Sequence, residues 1–279
     1  MILRPIPAPA AEADAGASFV SAWEAIACTQ RPPLHKCWMV TQPDHAILAG
    51  DLAVAMIAPW LPQLPSDVLR AIAVHDFGWA EPDRQALAYT AQSPGDPAAR
   101  PRSFLQAAAE EFISAWTASI ERAEQISPLS GILVSRHFTR LGQTRAQAGA
   151  SSADDERRLW RFLTDEAQRR RLLEPRQSST AAQICVLVDV LQLCDLLSLY
   201  LCCGARRPVQ FPQRFADRCI RLRPQPPDPE NGGASEIEST AARLHPSPLQ
   251  RPLSLAVEAT RYPAASAVPS MVAIRFLLW

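Results

Sequence analysis

The run VLRAIAVHDFGWAEPD, residues 68–83, ends an apolar helical stretch with His75 and Asp76 side by side, followed by Gly78 and Trp79. Imidazole nitrogen and carboxylate oxygen are donors for a divalent cation, and equally the groups of a solvated helix end. Adjacent residues on a helix diverge by about 100°, so both reach one ion only if it lies between their directions near the helix end. Gly78 would then help the chain turn away beside the site, and Trp79 could cover it.

Three further residues share the same character. His45 falls on one helical face with Leu48, Ala49 and Leu52, and His137 falls with Leu133, Val134 and Leu141. His75 itself shares a face with Leu69, Ala71 and Ile72. Asp195 is embedded among Leu191, Cys194, Leu196 and Leu199. Four helices thus each aim a possible ligand into apolar surroundings, where an unpartnered carboxylate is costly. A shared divalent cation resolves that cost. Each residue alone also fits a plainer role: a hydrogen-bonded core histidine, a helix-bridging Asp195 or a solvated Asp76.

These residues need elements to position them. QPDHAILAGDLAVAMIAPW predicts a helix with Gln42 as N-cap, Pro43 as first helical residue and Pro59 marking its end. A second starts at Ser66 as N-cap and runs to Gly78. Residues 102–125 carry strong helical periodicity, and Ser127-Pro128 starts the helix bearing His137. ADDERRLWRFLTDEAQRRRLLE, from 153, reads as a charged outer helix, and an apolar helix from about 180 closes at Gly204. MILRPI and CWMVTQ suggest short strands, the first at an edge, separated by a Pro/Ala-rich insert. LSLAVEA and MVAIRFLLW have β character and could pair with them. RLRPQPPDPENGGASEIEST reads as linker or disordered loop. The resulting division is a main domain over 1–206, a Pro-rich linker or loop over 207–252, and C-terminal strands over 253–279 packing on the main domain.

The bulk composition excludes several classes. With 28 basic and 28 acidic residues there is no whole-chain field favouring nucleic acid or an anionic membrane. The seven cysteines form no C-x-x-C pair, and a reducing, cytoplasmic setting is expected. ICVLVDVLQLCDLLSLYLCC has the length of a membrane span, but Asp189 and Asp195 interrupt it. Each carboxylate near the bilayer centre costs roughly 2.5–3.5 kcal/mol, so a central helix of a soluble domain is the better reading.

The order is more informative than any part: histidine, then the His-Asp pair, a later histidine, and an aspartate on the last apolar helix. It resembles the ligand order of the HD-domain metal-dependent phosphohydrolases. QPDHAILAGDLA, VLRAIAVHDFGW, SPLSGILVSRHF and LQLCDLLSLYLC together resemble an uncharacterised bacterial family, the DUF3891 proteins, over residues 37–204. The resemblance implies a mainly α, HD-domain-like helical bundle with a small accessory β-sheet from N- and C-terminal strands. It also implies His45, His75, Asp76 and Asp195 as ligands of a divalent metal. His137 matches a histidine that serves as second-metal ligand or catalytic acid. Phe77 departs from the pattern, standing where an acid is common and where it could alter a contact behind the ligands. The segment between MILRP and CWMV is expanded.

The chemistry implied is hydrolysis of a small phosphoester or nucleotide, with Asp76 orienting water and His137 protonating the leaving oxygen. Mn, Fe, Mg, Co or Zn would each suit the donors. Arg136 and Arg140 flank His137 and could bind phosphate, as could Arg70, although pairing with surface acids is the simpler role. Asp83 is placed equally well behind the site, at a helix cap or in a loop. Asp189 points about 120° away from Asp195 and is not expected among the ligands. Two other outcomes fit the same residues: a metal-containing sensory or binding module without turnover, and a di-iron oxygenase. No protein partner or oligomeric state is indicated.

Overall fold

The computed structural model describes residues 1–6, 18–31, 34–93, 96–149, 152–225, 239–264 and 271–279. The helices there are α1 (Ala22–Thr29), α2 (Gln42–Ala55), α3 (Ser66–Val74), α4 (Ala80–Gln92), α5 (Ala109–Glu124), α6 (Pro128–Ala148), α7 (Ala153–Leu173) and α8 (Ala181–Cys203). The strands are β1 (Ile2–Pro5), β2 (Val20–Ser21), β3 (Cys37–Val40), β4 (Val209–Phe215), β5 (Arg218–Pro224), β6 (Ser239–His245), β7 (Leu253–Tyr262) and β8 (Met271–Leu278).

Local chemistry explains where the helices that matter begin and end. The cap of α2 is Thr41, one residue before the expected Gln42: its hydroxyl accepts from the Asp44 amide at 3.2 Å. The Gln42 amide instead donates to Asp83 Oδ2 at 2.7 Å, which ties α4 to the start of α2. Pro65, not Ser66, occupies the cap of α3. Ser127 caps α6 as expected, accepting from Ser130 N at 3.1 Å. Thr180 and Gln183 form a reciprocal capping box on α8, and Gly204 ends it with φ 68°, where an L side chain is strained. The helix expected over 102–125 starts only at Ala109, after a 3₁₀ turn at Phe104–Gln106. Helices α1 and α4 were not expected.

Helix α8 is the central element. It is the one described helix apolar and long enough to cross a membrane, yet 72% of its apolar window is buried inside the protein. The helix packs on α2, α6, α1, β1 and β4. Arg4, fully buried in β1, holds its last turn: the guanidinium donates to the Leu201 carbonyl and to Thr240 Oγ1, both at 2.8 Å. A cation at a helix C-terminus meets the negative end of the helix dipole, so the contact favours this placement. Cys194, Cys202 and Cys203 are buried free thiols in the same helix; burial pushes Cys203 up to about 12.

The sheet overturns the expected fold class. Instead of a helical bundle with a small accessory sheet, all eight strands form one mixed, curled half-barrel ordered β1-β3-β7-β8-β6-β5-β4-β2. The expected pairing of N- and C-terminal strands is present, as Cys37, Trp38 and Met39 lie antiparallel to Tyr262, Arg261 and Thr260. The additional strands β4, β5 and β6 come from the 207–252 stretch read as linker or loop, of which 226–238 lie outside the described residues. Their prolines disguise them. Pro212 sits within the register shift between Gln210 and Arg214, and Pro224 is the last residue of β5. Both are positions where a missing amide hydrogen is tolerated. Buried Ile220 and Leu222 alternate with Arg221 and Arg223 along β5, a half-buried pattern. Of the Pro/Ala-rich insert expected between MILRPI and CWMVTQ, residues 7–17 and 32–33 lie outside the described residues, and the part between them carries β2 and α1.

Two glycines set the helix spacing. A Cβ on Gly50 of α2 would lie 2.7 Å from that of Ala73 on α3, so these helices cross at close range. A Cβ on Gly78, just past the His-Asp pair, would lie 1.9 Å from the Ala115 carbonyl oxygen of α5. The Gly78 amide also donates to Ser119 Oγ at 2.9 Å. Gly78→Ala is therefore expected to lower stability by about 3 kcal/mol, because rigid backbone must move. Urea unfolding checks this, and an unchanged midpoint would mean the turn does not press on α5.

Candidate metal centre

Three elements bring the predicted ligands together. His45 is in the first turn of α2, His75 and Asp76 follow the last turn of α3, and Asp195 lies mid-way along α8. All four are buried, and one ligand atom from each lies within 4.8 Å of all the others. His45 Nε2 is 2.8 Å from Asp76 Oδ2 and 3.9 Å from Asp195 Oδ1. His75 Nε2 is 3.7 Å from Asp76 Oδ2 and 3.3 Å from Asp195 Oδ1.

The outer ring nitrogens decide what these distances mean. His75 Nδ1 is 2.8 Å from the Ile72 carbonyl, an acceptor only, so Nδ1 carries the proton and donates. The Ser198 hydroxyl donates to the Asp195 carbonyl at 2.9 Å, so it accepts from His45 Nδ1–H at 2.9 Å. With Nδ1 donating outward in each ring, it is Nε2 that faces the carboxylate oxygens, as a bare lone pair unless something positive lies between. Lone pairs cannot face one another at such range in a buried site without a cation between them. A proton or a metal ion meets that need, and the outer-nitrogen bonds are those that orient metal-ligating histidines. The cluster could hold a metal ion.

The electrostatics carry the same message. Burial alone would lower the His75 pKa, but Asp76 and Asp195 outweigh it and raise it to about 9. Burial would raise Asp195, while the hydrogen bond from His75 and the surrounding imidazoles pull it down to about 2. The metal-free cluster thus keeps a proton on His75 at neutral pH.

His137 stands beside the four. Its Nε2 is 3.8 Å from Asp195 Oδ2, its ring lies edge-on to His75 with centroids 5.4 Å apart, and its buried Nδ1 has no hydrogen-bond partner. Burial pushes its pKa down to about 4, so the imidazole is neutral near pH 7.

The remaining predicted residues lie elsewhere. Arg140 pairs with Asp189 at 2.5 Å and with Gln192, and Arg136 approaches Glu174, which leaves both in the acid-pairing role. Arg70 is exposed. Phe77 points outward beneath Arg122 rather than behind the ligands. Buried Asp83 accepts from the Gln42 amide and from the Met1 amino group at 2.9 Å, so it braces α2 from behind. Ser198 is the residue sequence reasoning missed. Its signal was a lone hydroxyl in an apolar run, one helical turn after Asp195 and so on the same face.

Two cavities adjoin this region. The larger, about 780 Å³ between α4 and α5, includes none of the five cluster residues. The smaller, about 510 Å³, reaches Asp76, His137 and Asp195 and is walled by Trp79, Phe112 and Trp116. The smaller one is where a ligand would meet the cluster.

Fold and site together define a mixed helix-and-sheet protein with a buried two-histidine, two-aspartate cluster at the floor of an apolar cavity. Residues 31–263 match the family model described as a protein of unknown function, DUF3891, and the chain belongs to that family. No curated protein and no solved structure matches it.

Two outcomes follow from the cluster's hydrogen bonds. Ser198→Ala releases the His45 ring and should weaken divalent-metal affinity by about 10–100-fold without unfolding the chain. Calorimetric titration with Mn²⁺ measures this, and wild-type affinity would remove Ser198 from the site. Metal must also displace the His75 proton. Below pH 9 affinity should therefore rise with pH, by up to about tenfold per unit, and level off above it, with proton uptake by the buffer as the readout.

Proposed function

We propose that this protein is a metal-dependent phosphohydrolase of the HD type acting on a small phosphoester or nucleotide. The observation that carries the reading is the convergence of His45, His75, Asp76 and Asp195 at the floor of a cavity that also exposes His137. The ligand order along the chain supports the HD relationship. Mn, Fe, Mg, Co or Zn each suits two imidazoles and two carboxylates.

A bound divalent cation supplies Lewis acidity and a nucleophilic water near neutral pH. The chain's own residues do the rest. Asp76 has one oxygen toward the histidines, leaving its carboxylate able to orient water with the other. His137, neutral and without a partner on Nδ1, takes up a proton on attack and delivers it to the leaving oxygen. The aromatic walls exclude bulk water and hold the substrate body.

Protein purified without an affinity metal should contain bound divalent metal and release phosphate from at least one phosphorylated metabolite in a screen. His75→Ala should lose both metal and activity. His137→Ala should keep its metal while kcat falls by about 10²–10⁴-fold. Unchanged hydrolysis by metal-free His75→Ala would overturn the mechanism, and tight metal with no phosphate released from any substrate would make the protein a metal-containing binding module.

A further inference from the structure

The cavity contains polar groups the hydrolytic chemistry does not use. Arg145, on α6, is half-buried and lines it. Its guanidinium lies 4.2 Å from the centre of the Phe112 ring, and burial lowers its pKa. Among the described residues its side chain makes no ion pair and no hydrogen bond, whereas Arg136 and Arg140, earlier on the same helix, are both engaged. A guanidinium held over a ring makes no hydrogen bond by that contact, so its N–H donors remain available as a fork suited to an oxyanion. Two buried acceptors, Gln42 Oε1 and Gln213 Oε1, belong to residues lining the same cavity and are also without partners. Those two oxygens are closed to solvent, so it is the unpaired guanidinium on the cavity wall that calls for an anionic occupant.

The spacing describes that occupant. His137, Leu141, Thr144, Arg145 and Ala148 line the cavity along one side of α6. Arg145 therefore lies roughly two turns, or about 12 Å of helix rise, beyond His137. The walls between are apolar and aromatic.

We propose that Arg145 anchors a second oxyanion of the substrate, a carboxylate or phosphate joined to the reacting group by an apolar body about two aromatic rings long. The inference rests on the cluster being the reacting end. Arg145 is a specificity-determining residue in this account, with no part in the bond-breaking step.

The test uses two phosphonates that cannot be hydrolysed, 4-(phosphonomethyl)biphenyl and 4′-(phosphonomethyl)biphenyl-4-carboxylate, titrated calorimetrically into Mn²⁺-loaded full-length protein. Wild type should bind the carboxylated compound at least about tenfold more tightly, as a charge-assisted bidentate contact would give. Arg145→Ala should lose that preference while keeping its affinity for the uncarboxylated compound, and Arg145→Lys should retain part of it. Equal wild-type affinities, no binding of either compound, or an intact preference in Arg145→Ala would each overturn the anchor. Turnover of the matching phosphate esters separates the two readings. A carboxylate preference without hydrolysis keeps the anchor and removes the hydrolase. Hydrolysis of both esters with equal kcat/KM in wild type keeps the hydrolase and removes the anchor.

Discussion

A buried pair of carboxylates facing the Nε2 atoms of two imidazoles is the constraint on which the site depends. Asp76 and Asp195 are almost fully withdrawn from water, and the hydrogen bonds to Ile72 and Ser198 turn both histidines so that Nε2 faces them. Such an arrangement stands only with positive charge inside it. In the metal-free state a proton on His75 supplies that charge. A divalent ion would supply more and would use every donor at once. One fact therefore accounts for the His75 pKa and for the ability of the cluster to hold a cation.

The rest of the fold can be understood as what holds three chain segments at that point. Gly50 against Ala73 lets α2 and α3 cross closely, and Gly78 lets the turn after Asp76 lie on the α5 backbone. Arg4 fixes the end of α8 to the sheet, and Asp83 fixes the start of α2. The half-barrel provides the surface against which α8 and α2 are set, through β1, β4 and β7. Helix α6 then contributes both His137 and Arg145, so a single rigid element sets the distance between the chemistry and the far end of the cavity.

How much was legible in advance depended on how local each signal was. A histidine or aspartate among leucines at helical spacing is visible in a short window, which marked His45, His75, His137 and Asp195, while Asp76 and the choice of four came from the resemblance to the HD-domain order. Ser198 carried the same kind of signal, one turn from Asp195. The sheet did not. Strands β4 and β5 contain proline and carry several arginines, and β6 runs parallel beside β8 across a long connection. Their composition resembles linker until a partner strand satisfies the backbone. Arg145 was equally hidden, because a chain with many scattered arginines offers no way to tell which of them will line the cavity.

By itself, then, the sequence determined that His45, His75, His137 and Asp195 would be withdrawn from water and which helices would carry them, because amphipathic periodicity is a property of neighbouring residues. It also excluded a long-range charge field. Tertiary structure alone decided that the ligand atoms meet within one ion's reach, that eight strands close beside them, and that one guanidinium is left facing an apolar cavity. Those outcomes depend on distances between segments far apart in the chain, which packing and backbone pairing set and no local pattern encodes.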